Sequence, residues 1–300
     1  MFTLKVENKT GSVLTLTQNE GNYQIVNIDG LNPPNAVINS SEVAGMDGSI
    51  FNSSKLQERN IVLDLKINGE VEVNRLFLYR YFRTKQWCRL YYTNGSRDVY
   101  IEGYVETIEC NLFELGQTMQ ISIVCQDPYF KALDEITTDI SKEISAFAFP
   151  FSFGGDGAIV HPDEDTDEAI PFSTIEINRV TNIINDGEAE SGLIIDLVAT
   201  GTVVNPVIYD ANDGARFIKL TQTMNIGDEI IIDTRKGHKS ATLVSGGIKS
   251  NIIRKITPIN GIFPTWFQLA VGDNEFTYSA DSGSEFLGIV FRHSLLFEGV

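Results

Sequence analysis

The chain is 300 residues long, 42% hydrophobic and 21% charged, which fits a globular protein of about two domains and excludes a disordered one. Its formal net charge of −17 argues against a nucleic-acid binder, whose affinity comes mainly from Lys and Arg displacing counterions from phosphates. No apolar run approaches the roughly 20 residues of a membrane span, and the opening MFTLKVENKT lacks a basic stretch followed by an apolar block. Neither membrane insertion nor a secretory signal is therefore expected.

Strand signals dominate the first half. Alternation runs through Phe2–Val6, Val13–Thr17 and Tyr23–Val26, each run closed by a Gly/Asn/Ser turn. From Gly30 to Ser54 the text becomes GLNPPNAVINSSEVAGMDGSIFNSS, a long loop or irregular hairpin. Its Val37, Ile38, Val43, Met46, Ile50 and Phe51 are more apolar than a free loop should be. Val43, Met46, Ile50 and Phe51 are the candidate residues for packing on a neighbouring subunit. An apolar strand follows at 60–67 and ends at Asn68-Gly69.

The spacing predicts one helix, about Val71 to Thr84, with Val73, Leu76, Phe77 and Tyr81 on its apolar face, broadened by Leu78 and Phe82. Arg80, Arg83 and Lys85 gather near its C-terminus, where the helix dipole favours cations. Strands are then expected at Trp87–Tyr92, Val99–Val105 and Gln117–Cys125. Asn94-Gly95 supplies a hairpin turn and Pro128 a stop. Cys88, Cys110 and Cys125 form no CxxC pair and read as reduced thiols of a protein that folds in a reducing cytoplasm.

After about Asp134 the chain reads as strands and turns without helices, the pattern of a β-sandwich. A Phe-rich run over 139–153 precedes an acidic, Gly-containing stretch over 154–171. Short strands are expected at 175–177, 193–198, 217–220, 229–232, 267–271, 275–278 and 287–291.

The order of features resembles the phage tail-component family that includes distal tail proteins of long-tailed phages. The matching residues are Ile28-Asp29-Gly30-Leu31 with Pro33-Pro34, Val43-Ala44-Gly45-Met46-Asp47-Gly48, Arg59 before its strand, the single helix, Gly103, and the closing Cys125-Gln126-Asp127-Pro128-Tyr129-Phe130. Looser matches follow at Ile184-Asn185-Asp186-Gly187, Asn205-Pro206 with Ile208, and Val271-Gly272-Asp273-Asn274. The resemblance implies a mainly β chain. Residues 1–134 would form a tail-tube-like antiparallel β domain with one helix, of which six copies close a ring. Residues 135–300 would form a peripheral galectin-like β-sandwich. It also implies a virion protein of the tail tip, assembled in the host cytoplasm. Its partners would be itself, a tail tube protein, a tail-tip hub protein and a receptor-binding protein, with DNA passing only through the lumen.

No constellation for catalysis is visible: His161, His238 and His293 stand alone, without HExxH, GxSxG or GxxxxGK. No enzyme activity and no cofactor are expected. Asp163-Glu164-Asp165-Thr166-Asp167-Glu168 starts like a calcium loop, but Glu168 stands where Gly belongs and Thr174 where Glu belongs, so a solvated acidic loop fits better. Arg235-Lys236-Gly237-His238-Lys239 reads as an exposed hairpin tip. Trp266-Phe267 reads as a core pair before a sugar-stacking platform. A carbohydrate-binding module or adhesin of the tail tip is the rival function.

Overall fold

In a computed structural model the described residues are 2–113, 116–140, 143–144, 174–175 and 180–300. The first part holds β1 (Thr3–Asn8), β2 (Val13–Leu16), β3 (Tyr23–Asp29), β4 (Ala36–Glu42), β5 (Ser49–Leu56) and β6 (Arg59–Ile67). The helix α1 (Val71–Tyr81), β7 (Trp87–Thr93), β8 (Asp98–Cys110), β9 (Thr118–Cys125) and β10 (Phe130–Ala132) follow.

Antiparallel pairing orders one sheet β2-β1-β7-β8-β9-β6-β3, with β10 added against β8. Period-2 alternation decides its inner face. Along β6, Ile61, Leu63, Leu65 and Ile67 are buried while Asn60 and Lys66 face out. Val6, Leu90, Ile101 and Ile123 continue the same core on neighbouring strands. The expected turn at Asn94 closes β7 onto β8, its side-chain Oδ1 accepting from the amides of Ser96 and Arg97, each at 2.8 Å.

The second part contains β11 (Ile136–Asp139), β12 (Glu143–Ile144), β13 (Thr174–Ile175), β14 (Val180–Asn185), β15 (Ser191–Ala199), β16 (Val203–Val204) and β17 (Val207–Asp210). It continues with β18 (Phe217–Leu220), β19 (Thr223–Met224), β20 (Glu229–Asp233), β21 (Ser240–Ser245), β22 (Ile248–Asn251) and β23 (Ile256–Thr257). The chain ends with β24 (Gln268–Leu269), β25 (Gly272–Ser279), β26 (Leu287–His293) and β27 (Leu296–Phe297).

Two sheets face one another here, β11-β26-β15-β20-β21-β22 and β14-β25-β17-β18-β23. Leu193, Ile195, Ile232 and Phe291 of the first meet Ile183, Ile208, Ile218 and Phe276 of the second in one core, as in a β-sandwich.

The helix departs from expectation in length and orientation. It stops at Tyr81, where the Phe82 amide still donates to the Leu78 carbonyl, and Lys85 then takes a positive φ. Leu78 and Phe82 turn into the core, whereas Val73, Leu76 and Phe77 are exposed. Apolar residues occupy both sides of this helix; Leu78 and Phe82, four apart, are its fully buried members, with Val71, Tyr79 and Tyr81 partly buried against the same core. The last strand departs as well. β27 leaves the sandwich and pairs with β10, Phe130 opposite Phe297 and Lys131 opposite Leu296.

Candidate assembly interface

The 30–54 segment resolves into a hairpin. Among the described residues β4 and β5 pair only with each other and form a two-stranded sheet of their own. Val43, Met46, Ile50 and Phe51, the sequence-derived candidates, all lie on it in the open. Phe51 is 62% exposed, Met46 65%, and Ile38, which joins them, 67%. Asn52 is an extra residue in β5 at the Asn39/Ser40 step and shifts the register, so Phe51 stands opposite Ser40 and Ile50 opposite Ser41. Successive residues alternate faces, so the two large side chains point to opposite sides of the hairpin. The acidic residues Glu42 and Asp47 flank its tip.

The base of the hairpin is fixed firmly. Gly30, at φ +88°, lets the chain leave β3 where a Cβ would sit 2.1 Å from the Asn60 carbonyl oxygen. Arg59, 3% exposed, then gathers four carbonyls. Its Nε donates to Pro128 at 2.8 Å and Nη1 to Asn32 at 2.6 Å, with Gly30 and Glu298 as further acceptors. The guanidinium carbon lies 4.6 Å from the centre of the Phe130 ring. Nearby, Arg97 pairs with Glu188 and also donates to the Gly299 carbonyl at 2.7 Å. The Glu188 carboxylate accepts from the Glu298 amide at 2.8 Å. These bonds tie the chain's last residues to both parts of the molecule. Arg59 was visible in the sequence without a role, and nothing there marked Glu298 as its partner.

The other sequence candidates resolve individually. The acidic run 163–168, the stretch 154–171 and His161 lie outside the described residues. Arg235–Lys239 is the exposed turn between β20 and β21, with Arg235 paired to Asp233 at 2.7 Å. Phe267 is fully buried, and Trp266 packs partly buried against the same core beneath Lys239. Phe267 therefore presents no exposed face on which a sugar could stack. His293 is buried, and desolvation holds its imidazole below the ordinary value. Among the described residues, no group of three His, Cys, Asp or Glu is placed to hold a metal ion. No helix there is long and apolar enough to cross a membrane.

Residues 9–125 match the phage tail protein RIFT-related domain, and residues 186–293 match the siphovirus-type tail component, C-terminal domain. No curated protein matches the chain in sequence. Among solved structures, the fold is similar to that of the SPP1 Dit protein, described as a paradigm of the hub adsorption apparatus in phages infecting Gram-positive bacteria. The TM-score is 0.69 at 14% identity, over 99% of each chain. A chain of the phage P2 baseplate in its activated conformation with Ca is also similar, with a TM-score of 0.53 at 12% identity and complete cover of both chains. The baseplate with Sr gives 0.51 at 12% identity over 98% of each. With a tail-protein domain followed by a siphovirus tail-component domain in one continuous chain, the protein belongs to the siphovirus distal tail proteins, structural components of the phage tail.

Proposed function

We propose that six copies close a ring at the distal end of the tail, an adaptor between the tail tube protein above and the tail-tip hub and receptor-binding proteins below. In this reading residues 1–134 form the ring and residues 135–300 stand at its periphery. The role is assembly without catalysis or cofactor, in a virion put together in the host cytoplasm, with no membrane inserted.

The observation that carries this reading is the hairpin β4–β5, whose large apolar side chains Ile38, Ile50 and Phe51 are exposed among the described residues. Leaving such side chains in water forgoes about 1.5–3 kcal/mol each. A head-to-tail contact that covers them makes a ring when the rotation closes.

Charge is distributed in keeping with a passage for DNA. Residues 1–134 carry 12 Lys and Arg against 16 Asp and Glu, and residues 135–300 carry 11 against 24. The ring-forming part is thus close to neutral, and the strong acidity lies in the peripheral part. A lumen of that kind does not offer the dense cation array that grips phosphates.

Two-dimensional class averages of the purified full-length protein, alone and with its tail neighbours, test the proposal. Sixfold rings are expected; a monomer in the assembled tail, or another symmetry, overturns it.

A further inference from the structure

The outward face of α1 is a second uncovered apolar surface. Val73, Leu76, Phe77 and Arg80 are spaced i, i+3, i+4 and i+7, so they form one stripe, on the side opposite Leu78 and Phe82. Val73 is 58% exposed, Leu76 41% and Phe77 42%. Phe77 is nevertheless held in place, stacked between Tyr23 and Tyr81 with ring centres 5.8 Å away on each side. Arg80, Arg83 and Lys85 continue the stripe toward solvent as exposed cations without an ion-pair partner in the described structure. A fixed aromatic shelf ending in free cations is an arrangement suited to an apolar, acid-tipped partner.

The hairpin provides that pattern. Ile38, Ser40 and Glu42 share one face of β4, and Phe51 joins them from β5 by standing opposite Ser40. Read along the strand, this face presents Ile38, then Phe51, then Glu42. The helix stripe presents Val73, then Leu76 with Phe77, then Arg80. The helix stripe is about 10 Å long at 1.5 Å per residue. The hairpin face is about 13 Å long at roughly 3.3 Å per residue. The two surfaces therefore agree in order and length and are opposite in charge at their ends. They belong to different elements, so a contact between them is heterologous and leaves each copy with one free donor and one free acceptor surface.

We propose that the Ile38–Phe51–Glu42 face of the hairpin in one copy seats along the Val73–Leu76–Phe77–Arg80 stripe of α1 in the next copy. The assignment rests on the ring reading and specifies which two surfaces close it. The apolar residues supply the attraction, and the Glu42–Arg80 pair sets direction and register, as charges at interfaces commonly do.

The test uses full-length chains at a concentration where the unaltered protein forms rings. Glu42→Lys and Arg80→Glu each alter an exposed side chain. Each alone should raise the concentration needed for half-assembly about tenfold, because every ring repeats the clash at each joint. Both changes in one chain should restore assembly. Separately, a Phe51→Cys chain mixed with a Leu76→Cys chain, both carrying Cys110→Ser, should give disulfide-linked dimers on oxidation, while neither gives them alone. Rings that form without this cross-link, or a double charge variant no better than its parents, overturn the docking and leave the ring standing. Absence of rings from the unaltered chain under every condition overturns both.

Discussion

The guanidinium of Arg59, at the start of β6, donates to the main-chain carbonyl of Glu298, 239 residues further along the chain. Among the described residues no carboxylate lies within ion-pair distance of it; the cation is held by four carbonyls and one aromatic ring. A buried charge is tolerable only when its donors are satisfied, and this one satisfies three separate stretches of backbone together. Arg59→Lys keeps the charge but loses the planar fork, so several of these acceptors lose their donor. The expected loss is about 2–3 kcal/mol by urea unfolding. Faster hydrogen exchange at residues 296–300 should accompany it. A variant as stable as the parent, with an unchanged C-terminus, would show that the carbonyl contacts contribute nothing.

The cysteines should divide by reactivity. Cys88 and Cys125 are buried, and desolvation pushes their thiols up to about 12, so almost no thiolate exists near neutral pH. Cys110 is only partly buried, and burial raises its thiol less decisively. Maleimide should label Cys110 alone in the folded protein, while urea should open the other two. Rapid native labelling of Cys88 would mean that the β7–β8 region opens far more readily than its packing suggests.

Glu188 gives stability a definite pH dependence. Its hydrogen bond from Arg97, helped by backbone donors at Glu298 and Gly299, holds its carboxyl below the usual range. The folded state therefore binds this proton more weakly than the unfolded chain. The contribution is complete above the unfolded value of roughly 4.3 and disappears as pH falls through the lower folded value. Both partners are substantially exposed, so the effect is modest and screened by salt. Glu188→Gln should lower the melting temperature at pH 7, and the gap from the parent should narrow below about pH 4. A gap independent of pH would assign the loss to packing instead.

Much of the fold was legible because alternation has a simple cause: a strand with one face in the core must repeat every second residue. The runs at 60–67, 87–92 and 193–198 gave this away, and each is a strand. The orientation of α1 was not legible, because Val73, Leu76 and Phe77 are as apolar as Leu78 and Phe82, and periodicity cannot say which stripe meets the sheet. β27 was missed for another reason. It is two residues long and exists through its pairing with β10, a contact that no local pattern encodes. The hairpin was only half legible: no residue of its Ser- and Asn-rich strands is fully buried among the described residues, so the usual strand signal is absent while the apolar surplus remains. Arg59 shows the limit for the site, since its partners are backbone carbonyls and any sequence has those.

Phe51 offers the most direct test of what the hairpin is for. It is 62% exposed on a two-stranded sheet that adds nothing to either core, so its replacement removes little from the folded subunit. Phe51→Asp should leave the circular dichroism spectrum and melting temperature close to those of the parent. The same change puts a desolvated carboxylate into any contact that covers this face, besides forfeiting about 1.5–3 kcal/mol of apolar burial at each joint. In the proposed ring six joints would share the penalty and closure would need all of them, so the variant should not assemble at concentrations where the parent forms rings. Analytical ultracentrifugation distinguishes the outcomes. A folded chain that stays monomeric assigns the hairpin to the interface, and normal rings would make it a solvated projection. A chain that does not fold would place Phe51 in its own subunit's core, contrary to its exposure.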